Sequence, residues 1–191
     1  MIVTSRLRLD ALRDDDAPAL FMYRSHPDVA RYQGWQPTQL DEARRWIAGQ
    51  NPTDTPAPGQ WFQRAIRRLE SGALIGDLGA CMPAEPGMWV DIGITLAPSA
   101  QGRGFASEAL AGFLAWLFAG QLVRRVTASV DPRNQACMRL MGRLGFRQEA
   151  HFVQSIPWQG GWADDVVWAM LAHEWAALRG DTVEDRGGTT R

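Results

Sequence analysis

Apolar and polar positions along this chain repeat with two periods, and their order lays out an alternating set of strands and helices. Residues 2–9 set Val3, Leu7 and Leu9 against Thr4, Arg6 and Arg8, with one slip at Ser5, and the period of two predicts an opening strand. Asp14, Asp15 and Asp16 offer capping carboxylates ahead of Leu20, Phe21 and Arg24 at helical spacing, so a first helix is expected to end near His26 and Pro27. Thr38 and Asp41 have the spacing of a capping box before Leu40, Ala43 and Ile47, which predicts a second helix. Residues 51–59 are rich in Pro, Thr and Asp and read as an exposed, flexible loop. Three strand-like runs follow at 61–68, 74–82 and 89–96, joined by turn residues at 70–72 and 83–87, and an antiparallel meander is the simplest arrangement. In the third run Val90, Ile92, Ile94 and Leu96 point one way and Trp89, Asp91, Gly93 and Thr95 the other, with a bulge expected at Gly93.

The helix expected over 107–119 is apolar nearly all round, as a helix buried under a sheet should be. Residues 123–130 read as a strand, Asn134 as the N-cap of a helix with Cys137, Leu140, Met141 and Leu144 on one face, and Gly145 as its C′ residue. Closing strands are expected at 146–153 and 163–171 around a turn at 158–161. Beyond 180 the apolar pattern stops, so the reading is one domain over 1–179 and a flexible tail over 180–191.

Composition narrows the class. At 191 residues and 46% hydrophobic content the chain can bury a sizeable core. A formal net charge of -1 argues against nucleic acid or an anionic membrane as the main partner. Cys81 and Cys137 form no C-x-x-C pair, and His26, His151 and His173 lack ligand spacing, so no metal site and a reduced, cytoplasmic setting are expected. No run reaches the roughly 18 apolar residues of a membrane span. All 20 basic residues are arginine, which coding bias explains most simply.

One stretch carries candidate chemistry: Gln101, Gly102, Arg103, Gly104, Phe105 and Ala106, between a strand and a helix. Glycines let backbone approach a ligand closely, and a helix start presents unpaired N–H groups with about half a positive charge. Taken alone it is as readily an ordinary strand-to-helix turn as an anion cradle. Joined to Asn134, Gln135, Ala136 and Cys137 after the next strand, and to Leu144, Gly145 and Phe146, it resembles the GNAT superfamily of N-acetyltransferases. Gln101, Gly104 and Ala106 match that family's Gln/Arg-x-x-Gly-x-Gly/Ala pyrophosphate motif, and residues 101–109 look most like the RimJ/RimL-like branch, which acetylates N-terminal amines of ribosomal proteins such as those beginning with alanine. Segments 32–37 and 165–170 also sit where that branch has similar ones, so the resemblance runs from about 2 to 175.

The resemblance implies an α/β (α+β) GNAT fold: a mixed, mostly antiparallel sheet of six to seven strands, splayed between its fourth and fifth, with helices on both faces. It implies acetyl-CoA, bound by Ile94 and Leu96 beside the splay, by Gln101, Gly102, Arg103, Gly104, Phe105, Ala106 and Ser107 at the pyrophosphate, and by Asn134, whose capping role is equally expected. It implies direct transfer in a ternary complex to a primary amine, by a monomer or homodimer. Asp91 is the candidate base and Cys137 the candidate acid, since Met141 replaces the family's common tyrosine; a small buried core thiol is the blander reading of Cys137. Tyr32, Trp35, Trp158 and Trp162 are candidates to line the acceptor pocket. A small amine such as an aminoglycoside or polyamine is the alternative acceptor, and an idle acyl-CoA-binding domain the alternative class.

Overall fold

The period-two runs become strands of one sheet because each has an apolar face to bury, and the apolar helices cover that face. The computed structural model describes residues 1–50, 52–53, 55–82, 84, 89–119 and 123–180. In chain order the elements are β1 (Ile2–Val3), β2 (Leu7–Asp10), α1 (Ala17–Arg24), α2 (Pro27–Ala30), α3 (Leu40–Ala48), β3 (Trp61–Arg68), β4 (Leu74–Cys81), β5 (Trp89–Leu96), α4 (Phe105–Ala119), β6 (Arg125–Val130), α5 (Gln135–Arg143), β7 (Arg147–Trp158), β8 (Gly161–Leu171) and α6 (Ala172–Arg179). The eight strands lie in the order β1-β2-β3-β4-β5-β6-β8-β7. Every neighbouring pair is antiparallel except β5 with β6, which α4 joins as a crossover. This is the expected class, with one strand more than the upper expectation. The extra strand arises because residues 2–9 are not continuous: Thr4 N bonds Leu7 O at 2.9 Å, folding the slip at Ser5 into a turn between β1 and β2.

Both faces are covered. On one, Leu110, Phe113, Leu114 and Leu117 of α4 pack with Phe62, Leu78, Val90, Ile92, Val126 and Ala128, and Trp175 of α6 joins them. On the other, Leu20 and Tyr23 of α1 and Ala43 and Ile47 of α3 enclose Ala65. Burying a large aliphatic side chain contributes roughly 1.5–3 kcal/mol. Two ion-pair clusters interrupt the apolar interior. Arg67 bonds Asp10 and Asp16, and Arg24 bonds Asp77, whose carboxylate is fully buried and also accepts from Tyr23 and Gln63.

Several expectations are corrected. Gly93 sits opposite Gly79 in unbroken register, and the irregularities fall instead at Ile66/Arg67 and along β7. The box before α3 uses Glu42, not Asp41, to accept from the Thr38 backbone and hydroxyl, because that carboxylate is the one that reaches back over the first turn. The closing strands are longer than their apolar pattern suggested, since β7 keeps pairing with β8 through Trp158↔Gly161. The expected tail after 180 and most of the turn at 83–87 lie outside the described residues. Among the described residues no helix is long and apolar enough to cross a membrane, and no His, Cys, Asp and Glu cluster could hold a metal.

Candidate functional site

The site begins where the parallel pair opens. β5 and β6 are in register at Trp89↔Arg125, Val90↔Val126 and Asp91↔Thr127 and then diverge, although β5 continues to Leu96 and β6 to Val130. The register against β4 decides which backbone groups face the gap. Ala97 N bonds Ile75 O, so odd-numbered positions of β5 are spent on β4 and even-numbered ones face β6; the rung at Asp91↔Thr127 uses the Ile92 N–H, which leaves the Ile92 C=O, both groups of Ile94 and the Leu96 N–H toward the opening. Unpaired backbone groups of this kind need a partner.

Two adjoining cavities occupy the opening. The larger, about 460 Å³, runs from Ile94 and Leu96 past residues 100–107 to α5, with Asp28, Val29 and Tyr32 on its far wall. The smaller, about 150 Å³, lies in the fork itself between Ile92, Gly93 and Ile94 on one strand and Ala128, Ser129 and Val130 on the other. Tyr32, Gln33, Ile94, Asn134 and Cys137 line both.

The turn at the outer end has the geometry of a cradle. Gly102 and Gly104 have φ of 71° and 79°, where an L side chain costs roughly 1–2 kcal/mol. The first bond inside α4 is Glu108 N to Gly104 O at 3.1 Å, so the N–H groups just before Glu108 have no intrahelical acceptor. The Gln101 side chain turns back and donates to Leu96 O at 3.1 Å, fixing the loop to β5. Phe105 is buried beneath the turn, with the guanidinium groups of Arg6, Arg68 and Arg103 at 4.5, 5.8 and 5.5 Å from its ring.

Sequence reasoning missed what holds this turn. Glu108 accepts from Thr4 Oγ1 at 2.6 Å, Ser5 Oγ at 3.0 Å, Arg6 N at 2.7 Å and Arg6 Nε at 2.6 Å, while Arg6 Nη1 donates to Arg103 O at 3.1 Å. Partial burial opposes its ionisation, but these donors outweigh it and hold the carboxyl below the usual range. The β1–β2 turn is thereby strapped to the cradle across about a hundred residues of chain, a contact no local pattern encodes.

At the inner end, Asn134 Oδ1 accepts from Cys137 N at 3.1 Å, capping α5. Burial pushes the Cys137 thiol up to about 11. The Tyr32 hydroxyl reaches over the fork and donates to Arg133 O at 3.2 Å, and Gln33 Oε1 accepts from Thr95 Oγ1 at 2.9 Å and Arg24 Nη1 at 3.2 Å, which moors this loop to β5 and to the buried Arg24–Asp77 pair. Ser129 donates to Asp165 Oδ1 at 2.5 Å on the same face of the sheet. Asp131 also lines the fork, but the Arg133 guanidinium binds it and holds it low.

Three expected site residues stand elsewhere. Asp91 is the last paired position before the fork; its carboxylate accepts from the Thr127 hydroxyl, and neither member of this pair lines a cavity. Trp35 stacks on Trp46 at 5.0 Å under Arg24, a support for the loop rather than a wall of the opening. Trp162 is 63% exposed and belongs to the opposite face of the hairpin from Asp165. Trp158 does reach the aromatic loop, donating to Arg31 O at 3.1 Å.

Comparison with known proteins agrees with this geometry. Residues 6–147 match the family described as "Acetyltransferase (GNAT) domain". The chain is 30% identical over 176 residues, 92% of its length and 98% of the relative's, to the uncharacterized N-acetyltransferase p20 of Bacillus licheniformis. It is 29% identical over 88 residues, 46% of its length and 45% of the relative's, to the [ribosomal protein uS5]-alanine N-acetyltransferase of Escherichia coli. In fold it is similar to RimL, the ribosomal L7/L12 alpha-N-protein acetyltransferase in complex with coenzyme A, with a TM-score of 0.78, 22% identity, and coverage of 90% of this chain and 97% of that one.

Proposed function

The chain belongs to the GNAT acetyltransferase family and is an N-acetyltransferase, and from that premise we propose that it moves an acetyl group from acetyl-CoA to a protein N-terminal α-amine, in a single domain over 1–179. The observation that carries the reading is the fork: the Ile92 C=O, both backbone groups of Ile94 and the Leu96 N–H lack a strand partner beside an elongated cavity that ends at a glycine cradle. An extended chain of amides ending in phosphates fits those donors and acceptors, as an added strand would. The branch assignment to RimJ/RimL-like enzymes is supported by the uS5-alanine relative and by the fold of RimL.

The bound cofactor supplies the activated acetyl thioester. In this chain Gln101, Gly102, Arg103, Gly104, Phe105, Ala106 and Ser107 hold its pyrophosphate, chiefly with main-chain N–H groups, and Ile94, Leu96 and Asn134 hold the pantetheine arm. The main-chain N–H of Ile94, the first even-numbered amide beyond the last β5–β6 rung, would stabilise negative charge developing on the acyl oxygen. As the amine nitrogen bonds the acyl carbon and the C–S bond breaks, Ser129 would take the amine proton while its own hydroxyl proton passes to Asp165, and the departing thiolate would take a proton from water; Ser129 lines the smaller cavity and its hydroxyl bonds the Asp165 carboxylate behind it. Tyr32 and Trp158 frame the acceptor's entry and Cys137 packs the wall.

A second acceptor class has its own support: Asp28 and Asp131 line the two cavities, which suits a polycationic small amine. Thiol release from acetyl-CoA with a panel of alanine- and serine-initiated peptides, polyamines and aminoglycosides separates the two. Turnover with peptides but not with polyamines supports the proposal, and the reverse order overturns it.

A further inference from the structure

We infer that Arg139 and Arg143 form a second anion subsite, beside the cradle, that takes the 3′-phosphate monoester of coenzyme A and makes the protein prefer it over the dephospho form. The two arginines are one turn apart on α5, so their side chains share a face, and both line the larger cavity. Neither makes an ion pair among the described residues, and Arg143 Nη1 lies 3.5 Å from Ser107 Oγ of the cradle. Their neighbours behave differently. Arg6 is bound to Glu108, Arg68 to Glu70 and Arg133 to Asp131, so those guanidinium groups already have carboxylate partners. The carboxylate among the residues lining this cavity is Asp28, on the opposite wall, where it faces Arg31 at 3.8 Å.

The charge of the expected ligand is divided. Main-chain N–H groups at residues 104–107 suit the pyrophosphate, whose oxygens approach along the helix axis. A phosphate monoester carries about −1.5 to −2 near pH 7 and needs cations of its own. Two forked guanidinium groups on one helical face meet that need with charge-assisted bonds. Favourable placement near the carbonyl end of α5 explains Arg143 by itself, but Arg139 sits a turn earlier, where that effect has faded. What the two share is the cavity.

This inference rests on the acetyl-CoA reading above, and the experiment separates their failures. Binding of CoA and of dephospho-CoA is measured by titration calorimetry on the full chain and on Arg139→Gln/Arg143→Gln, at low and physiological salt, with melting of the ligand-free proteins as the folding check. The wild type should bind CoA about tenfold more tightly than dephospho-CoA. The double substitution should bring CoA down to the dephospho level and leave dephospho-CoA unchanged. Equal binding of the two ligands by the wild type overturns the subsite while leaving the acetyl-CoA reading intact. An equal loss for both ligands in the variant also overturns it, by assigning the arginines to the pyrophosphate. Binding of neither ligand by the wild type overturns both proposals.

Discussion

Removing the Glu108 carboxylate should loosen the cradle and the amino-terminal hairpin together. In Glu108→Ala, the hydroxyls of Thr4 and Ser5, the Arg6 amide and the Arg6 guanidinium all lose one acceptor. Neutral hydrogen bonds contribute about 0.5–1.5 kcal/mol net and charged ones about 1.5–3. Arg6 is about half exposed, so its ion pair is discounted to the low end, and Thr4 and Ser5 recover part of their loss to water. The expected cost is about 2–3 kcal/mol, which for a chain of this size lowers the melting temperature by roughly 4–12 °C. The pH dependence has a definite sign. The folded-state pKa of Glu108 is depressed, so its contribution is complete above the unfolded value and is lost as pH falls through the folded one. Denaturant unfolding of wild type and variant at pH 7 and at pH 3 measures this: the gap between them should narrow in acid. Coenzyme A affinity should fall as well, because Arg6 Nη1 holds Arg103 O within the cradle. Arg6→Ala should reproduce part of the loss, and the double variant should cost less than the sum, since both remove the same contact. Equal stability of wild type and Glu108→Ala at pH 7, or a gap that widens in acid, would refute the reasoning.

Gly104→Ala should lose about 1–2 kcal/mol from its φ of 79° and bind coenzyme A at least tenfold more weakly, read by unfolding and by titration, whereas Gly142→Ala, in open space on α5, should leave affinity unchanged and stabilise the fold by up to about 1 kcal/mol. Cys137→Ser should keep most turnover, and because burial raises the thiol to about 11, alkylation of Cys137 at pH 7 should be slow and should quicken as pH rises toward that value. Asp165→Asn and Ser129→Ala should each lower kcat by about a hundredfold at pH 7 with unchanged coenzyme A affinity, and the deficit should shrink at higher pH, where the acceptor amine is already neutral; loss confined to affinity would assign the pair to packing.

Most elements that the chain announces locally are present in the structure, whereas the short helix α2 and the closing helix α6 carry no clear local pattern and α4 begins two residues earlier than its apolar run. Val90, Ile92 and Leu96 alternate because one face of β5 meets α4, and Asn134 caps α5 with its own side chain. The tight turn before α4 is legible for the same reason, since Gly102, Gly104 and the helix start lie within six residues. What escaped depends on distant parts of the chain. The bond from Glu108 to Thr4 spans 104 positions, and Ser129 meets Asp165 only after β8 returns beside β6. Asp91 lies on β5 as its alternation indicates, but the point at which β5 and β6 part, one residue further on, is a property of the pair and cannot be read from either strand. Trp35 and Trp162 show the same limit: an aromatic residue in a loop or hairpin fits a pocket wall, a stacked support or an outer surface equally well until its neighbours are known.

The central claim is that the unpaired edge of β5 and the turn after it receive the cofactor. Hydrogen–deuterium exchange of the full chain with and without coenzyme A tests it most directly. The account predicts slowed exchange at residues 92–96 and 101–107, with the antiparallel pair of β3 and β4 unchanged. Slowing confined to other segments, or none at saturating coenzyme A, would contradict it.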